Sequence, residues 1–499
     1  VSKSALLGRM PPRSGWWLAL VLPALLGQAA VLWYGLRHQH FGSILDTELL
    51  AGGLFVLAVL GLWRYRGPAA GSVVLAGAVL LQLSALGAGP SSSDDVYRYV
   101  WDAKVQLAGI DPYRYPPAAP ELNRLRSTAL FPPGRPGCAW KLPDGRCSRV
   151  NRPEVRTIYP PVAEGAFVLA RLASFGRSDG PFPLQVFGGI GALAVTLLLL
   201  RFVRARGDPV WRVALWAWCP VTAVELANNG HIDWLAALLT AAALLAYRAR
   251  RSRLASRARR PGLVAGLLPG LAGGLLGAAI ATKLYPALAL PALLRRHPWR
   301  VLGAAIGVLA VSYLPHVLAV GARVIGYLPG YLREENYTSG SRFLLLARLL
   351  PHGALTVAAV LILLAAGSWA VRRADPKRPE LAALVLVGIG LLVATPSYSW
   401  YAVELLVLVA MTGRLEWLPL VFAPTVANLG ASSFGNGVAF RTSCYAVALA
   451  VVLIGAWRRR PTGWTFRVGW RLWWLSSRGG VRLIRGWFRG RRRLRRFLR

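Results

Sequence analysis

The chain has 499 residues, 55% of them hydrophobic, with twenty tryptophans and a mean hydropathy of +0.45. That composition excludes a soluble protein of several domains and places the chain in a bilayer. A formal charge of +39 would suit nucleic acid, but the basic residues sit in short clusters where apolar runs end, as in cytoplasmic loops, so no nucleic-acid partner is expected.

In chain order, apolar windows of spanning length run from Trp16 to Leu36, Thr47 to Trp63, Ala70 to Gly89 and Leu184 to Val203. No small-residue cleavage site follows the first, which is expected to be a permanent span. Basic clusters at Lys3/Arg9/Arg13, Arg64/Arg66, Arg201/Arg204/Arg206, Arg248 to Arg260, Arg295/Arg296/Arg300, Arg372 to Arg378, Arg414 and Arg458 to Arg460 recur at every second turn of the chain. The pattern predicts an all-α polytopic bundle of about 12–14 spans, with both termini inside. Gly262 to Leu294 is expected as a tight hairpin of short helices. Residues 1–457 would form the membrane domain, with a long outer loop at about 89–183, a second at about 321–341, and small outer caps near Asn228, Ser397 and Ser432.

After "PSSS" the first outer loop turns amphipathic. Ser92 or Ser93 suits an N-cap, and the helix dipole favours Asp94 and Asp95 in the first turn. Asp95, Tyr99 and Asp102 share one face, while Asp94 is spaced to pair with Arg98 at i, i+4. Gly109 and Asp111-Pro112 end the helix. Cys138 and Cys147 bracket "AWKLPDGR" and are expected to form a disulfide in an oxidising compartment, two free thiols being the other reading. Cys219 and Cys444 lie in apolar runs and read as inert core residues. Tyr159-Pro160-Pro161 must be extended. A surface helix carrying Glu164 and Arg171 then follows from Val162 to about Ser174.

"DDVYRYVWDAKVQLAGIDPYRY" followed by "IYPPVAEGAFVLARLASFG" resembles the first outer loop of the GT-C superfamily of membrane glycosyltransferases. The likeness is to the bacterial polyprenyl-phosphate-mannose-dependent mannosyltransferases of the family 87 type, and to the mannosyltransferase of GPI-anchor assembly. It continues through "ELANNGHIDWLAALLTAAALL", "GLLGAAIATKLYPALALPALL", "YLPGYLREENYTSGSRF" and "TPSYSWYAVELL", from about Ser91 to Leu406. The long stretch before the loop, with its extra hairpin, departs from the simplest members.

The resemblance implies transfer of a hexose, with mannose expected, from a polyprenyl-phosphate donor to a cell-envelope glycolipid or glycan, on the outer face of a bacterial plasma membrane. It assigns the base to a loop acid, here Asp94 or Asp95, which takes the acceptor hydroxyl proton. Asp95 is favoured because Arg98 neutralises Asp94. Displacement by one base inverts the anomeric centre. The same two carboxylates are able to hold Mg²⁺ or Mn²⁺, and metal need stays open. The leaving phosphate requires a cation, for which Lys283, Arg342 and Arg98 are candidates; snorkelling to headgroups accounts equally well for a lone Lys or Arg.

Tyr99, Asp102, Tyr159, His231 and Asp233 are candidate substrate contacts. For the last two the other reading is Asp233 as an N-cap and His231 in solvent. Glu334, Glu335 and Asn336 touch sugar hydroxyls or are ordinary surface residues. Tyr398, Trp400 and Tyr401 stack on sugar or prenyl chain, or belong to an interfacial aromatic belt. After Trp457 come fifteen arginines, no acid and several tryptophans, a mixture that predicts an in-plane anchor on anionic membrane lipid. A transporter or flippase of lipid-linked sugars is the competing class. It would keep ionisable residues at midplane in broken helices, whereas the acids here read as loop residues.

Overall fold

A backbone in hydrocarbon must satisfy its own N–H and C=O groups, which makes the apolar runs helical. The computed structural model describes residues 15–38, 43–65, 67–134, 138–174, 179–248, 261–431 and 436–459. Leu18–Arg37 (α1) and Ile44–Arg64 (α2) pair as a hairpin, and Ala70–Ala85 (α3) packs on α1. A reciprocal cap opens α2: Ser43 Oγ accepts the Asp46 N–H at 3.1 Å, and Asp46 Oδ2 accepts the Ser43 N–H at 2.9 Å.

The long loop then holds α4 (Asp95–Leu107), a small antiparallel ladder of β1 (Trp140–Lys141) on β2 (Cys147–Ser148), and α5 (Pro161–Ala173), which packs on α4. Cys138 and Cys147 are joined across Cα atoms 5.8 Å apart. Ser93 Oγ accepts the Asp95 N–H at 3.2 Å, and Gly109 turns the chain out of α4 at φ 76°. Glu164, read from sequence as marking a surface helix, is instead fully buried, accepting from Thr157 Oγ1 and from Gln106 Nε2 at 2.8 Å each. These two donors are what allow a carboxyl group to leave water there.

Phe182–Arg206 (α6) is followed by α7 (Trp211–Ala217), a π-helical turn at Ala223–Asn228, and α8 (Asp233–Arg248). α6 lies so close to the π turn that a Cβ on Gly188 would stand 1.9 Å from the Leu226 carbonyl oxygen, a gap only glycine leaves open. Pro261–Ile280 (α9) precedes a 3₁₀ helix at Tyr285–Leu293. Then come α10 (Pro298–Val320), α11 (Leu328–Glu334), α12 (Leu355–Arg373), α13 (Pro379–Ala394), a 3₁₀ turn at Ser399–Tyr401, α14 (Ala402–Thr412), α15 (Leu418–Leu429) and α16 (Gly437–Arg458). Every residue of α14 is buried, which puts it at the centre of the bundle.

Among the described residues, six helices are long and apolar enough to cross a membrane, and five further apolar helices are shorter. The window expected from Ala70 to Gly89 is helical only to Ala85. Gly262 to Leu294 is not a pair of short helices: α9 has 20 residues and the 3₁₀ helix after it has 9. Pro291 removes an N–H donor from the interior of that second segment, which weakens an α ladder there. The acids are not confined to loops either, since Glu48, Glu225, Glu380 and Glu404 are buried among helices. Single acids inside long apolar runs barely lower a hydropathy window, so the sequence pattern conceals them.

The chain divides into two units, Val1–Leu449 and Ala450–Arg499; of the second, the end of α16 is described. The basic stretch from residue 460 onward, read as a membrane anchor, lies outside the described residues, as do Lys3, Arg9, Arg13 and the cap at Ser432.

Candidate active site

Two adjacent asparagines hold the segment that leads into α4. Asn229 Oδ1 accepts the N–H groups of Ser91 and Ser92 at 2.9 and 3.2 Å, and its Nδ2 donates to Ser92 Oγ at 2.7 Å. Asn228 Nδ2 donates to the Gly89 carbonyl at 3.0 Å. "NNGHIDW" is thus the clasp that fixes "PSSSDD". The clasp sits at the end of the π turn, and both amides bond to the same strip of chain.

Asp94 and Asp95 face the segment 151–155. Asn151 Nδ2 donates to Asp95 Oδ1 at 2.6 Å. The expected pairing of Arg98 with Asp94 is not made. Arg98 Nε donates to both Asp102 oxygens, at 3.1 and 3.2 Å, and its terminal nitrogens donate to main-chain carbonyls, with Val155 nearest at 2.9 Å. Both i, i+4 partners are available to a helical arginine, and the one on the buried side wins because an unpaired Asp102 there would be far costlier than an unpaired Asp94 at the more exposed cavity mouth.

These residues open onto a cavity of about 760 Å³. Asp94, Asp95, Arg98, Asn151, Arg152 and Lys283 supply its polar wall, and Tyr159, Tyr285, Tyr331, Tyr398, Trp400 and Tyr401 its aromatic one. Leu288, Pro291, Leu363, Ala366 and Leu386 also line it. Leu363 lies eight residues into α12, and Leu386 eight from the end of α13. The apolar part therefore runs about 12 Å down between helices, away from the loops.

Of the candidates named from sequence, Asp94, Asp95, Arg98, Tyr159, Lys283, Trp400 and Tyr401 line the cavity; Tyr99, Asp102, His231, Asp233 and Arg342 do not. Tyr99 is buried behind the wall, stacked on Phe167 at 4.2 Å and edge-on to Tyr159. His231 and Asp233 are wholly buried, not solvated. His231 stacks on Trp400 at 4.3 Å and its Nδ1 is 3.2 Å from Tyr99 Oη. Asp233 accepts from Tyr285 Oη at 2.9 Å and pairs with Lys283 Nζ at 3.2 Å. It meets the cavity through those two residues. Lys283 Nζ also stands 5.2 Å from the Tyr159 ring centroid, a cation–π contact.

Arg342 is withdrawn from the site by Glu335 at 3.0 Å and Ser397 at 2.9 Å. Sequence reasoning passed over Arg152, which lines the cavity with φ 45° and ion-pairs with Glu334 of the second loop. It also passed over Asn151, Tyr285, Tyr331 and Glu225, whose carboxylate accepts from Ser399 and from Asn229 Nδ2. A polar pair such as Asn151-Arg152 just upstream of Tyr-Pro-Pro was the available signal, but loop residues carry no periodicity to mark their direction.

Partial desolvation at the cavity mouth, followed by the charge of Asp95, holds the Asp94 carboxyl above the ordinary carboxylate range. Hydrogen bonding from Arg152 holds Glu334 below it. Among the described residues no group of three or more His, Cys, Asp or Glu side chains converges as a metal-binding set. A divalent cation at the cavity mouth would be held by the carboxylates of Asp94 and Asp95.

Residues 158–396 match the model of glycosyltransferase family 87. No curated protein and no solved structure matches the chain.

Proposed function

We propose that this chain, whose residues 158–396 match the model of glycosyltransferase family 87, is a membrane glycosyltransferase that moves a hexose, mannose by preference, from a polyprenyl-phosphate donor to a hydroxyl of a cell-envelope glycolipid or glycan. The observation that carries the reading is a single cavity that joins two carboxylates and several cations, Lys283 and Arg152 among them, to an apolar slot between α12 and α13. A prenyl chain fits the slot, its phosphate lies against Lys283 and Arg152, and the sugar meets Asp95 and Asp94.

In the reaction the acceptor oxygen forms a bond to the anomeric carbon from the face opposite the phosphate. The bond between that carbon and the phosphate oxygen breaks, and polyprenyl phosphate leaves with the electron pair. Asp95 takes the hydroxyl proton, a role worth roughly 10² to 10⁴ in rate. Asn151 engages Oδ1 of Asp95 and so fixes the direction in which the carboxylate points. Lys283 and Arg152 offset the charge that develops on the leaving phosphate. One base and direct displacement invert the centre. The loops would face outward from a bacterial plasma membrane, with both termini cytoplasmic.

The buried acids do not revive the flippase reading. Glu225 is satisfied by Ser399 and Asn229, and none of Glu48, Glu225, Glu380 and Glu404 lines the cavity. The deciding assay supplies purified protein with radiolabelled polyprenyl-phosphate-mannose and membrane acceptors. Transfer that falls at least a hundredfold in Asp95→Asn supports the enzyme, whereas sugar that crosses liposomes with its phosphate bond intact overturns it.

A further inference from the structure

A second cavity, of about 290 Å³, lies at the other end of the bundle. Its walls come from the last residues of α8, the turn entering α10 and the turn between α12 and α13, contributing Arg248, Arg296, His297 and Lys377. α8 runs from Asp233, beside the first cavity, to Arg248, so its 16 residues separate the two by about 24 Å. None of these residues takes part in the proposed transfer, and a ligand held by them would bind whether or not that transfer occurs.

The charge there is unbalanced. One buried carboxylate, Glu380, is shared by Arg206 at 3.0 Å, Arg248 at 3.4 Å and Arg378 at 3.9 Å. Among the described residues no acidic side chain pairs with Arg296 or Lys377. Asp375 meets Lys377 only by accepting its backbone N–H. Guanidinium and ammonium groups converging from three elements on one small cavity recognise a phosphate.

The neighbouring surface decides which phosphate. Trp299, two residues beyond His297, is 82% exposed, and Ile306, two turns further along the same side of α10, is 61% exposed. An uncovered apolar helix face thus starts at the rim of a cationic pocket, the arrangement that suits a headgroup and its acyl chains together. The geometry points to a specific site for one anionic phospholipid, its phosphate held by Arg248, Arg296 and Lys377 and its chains along α10.

The test uses the full-length protein in neutral micelles, titrated with phosphatidylglycerol or phosphatidylcholine and followed by native mass spectrometry. Wild type is expected to bind the first phosphatidylglycerol at least about tenfold more tightly than phosphatidylcholine. Arg296→Ala/Lys377→Ala should abolish that preference while keeping glycosyl transfer and melting temperature, and Arg296→Lys/Lys377→Arg should keep it. The equally charged control Arg372→Ala/Arg373→Ala, on exposed residues that do not line the pocket, should also keep it. Equal loss in both alanine pairs would mean diffuse charge and overturn the site, as would an unchanged preference in Arg296→Ala/Lys377→Ala. Competition by millimolar inorganic phosphate supports phosphate recognition; phosphate binding with no preference between the two lipids overturns the lipid as occupant.

Discussion

The side-chain amide of Asn151 donates to Asp95 Oδ1 at 2.6 Å across 56 residues of chain, so the acid at the head of α4 is oriented from the far end of its own loop. A carboxylate held by one oxygen presents the other in a fixed direction, which is what proton abstraction needs. Asn151→Ala is expected to lower kcat about tenfold with donor KM nearly unchanged, the effect of losing one charge-assisted hydrogen bond. A raised KM with kcat intact would show instead that Asn151 touches the substrate and does not orient Asp95.

Asp94 gives a stability signature with a definite sign. Its raised pKa means that the folded protein binds the proton more tightly than the unfolded chain does. The favourable contribution is present below the unfolded carboxylate pKa and disappears as pH rises through the higher folded value. Asp94→Asn should therefore melt above wild type at neutral pH, and the gap should close below about pH 4, where both states of the wild type are protonated. Melting curves across that range check it, and a gap that widens on acidification would contradict the raised carboxyl.

Lys283 has two partners in prospect, and variants separate them. Lys283→Met strands the buried Asp233 carboxylate, which Tyr285 alone does not neutralise, and should cost about 3–5 kcal/mol of stability. Adding Asp233→Asn should restore the melting temperature. Transfer should stay low in the double variant, because the phosphate still lacks its cation. Recovery of activity along with stability would reduce Lys283 to a structural role.

Gly326 joins the two loops. Its φ is +58°, and a Cβ there would stand 1.8 Å from the Thr157 carbonyl oxygen. Gly326→Ala should cost about 2 kcal/mol or more through backbone strain and displaced main chain. Limited proteolysis should then nick the segments around Thr157 and Gly326 before the rest of the chain. An alanine variant as resistant as wild type would mean that the loops do not meet there.

Much of the architecture was legible in advance. The helices around Leu18, Ile44 and Phe182 follow from unbroken apolar length, and α4 and α5 from capping and proline signals within a residue or two of their observed starts. The double acid after an apolar run marked the cavity mouth, and "KLYP" its lysine. Depth was misjudged where side chains turn inward: His231, Asp233, Asp102 and Glu164 all read as accessible and are buried. Spacing along a helix gives direction only relative to neighbours, and a loop residue such as Arg152 has no such reference.

The sequence by itself determined the material: apolar lengths that must be helical in lipid, arginines that stop them, and two carboxylates at one such edge. Only the tertiary structure decided how the charges divide. Arg98 goes to Asp102, Lys283 to Asp233 and Arg152 to Glu334, a partner 182 residues away. Local spacing can propose several partners for a cation, but the energy that chooses among them comes from removing water, and which groups lose their water depends on how distant segments close over one another.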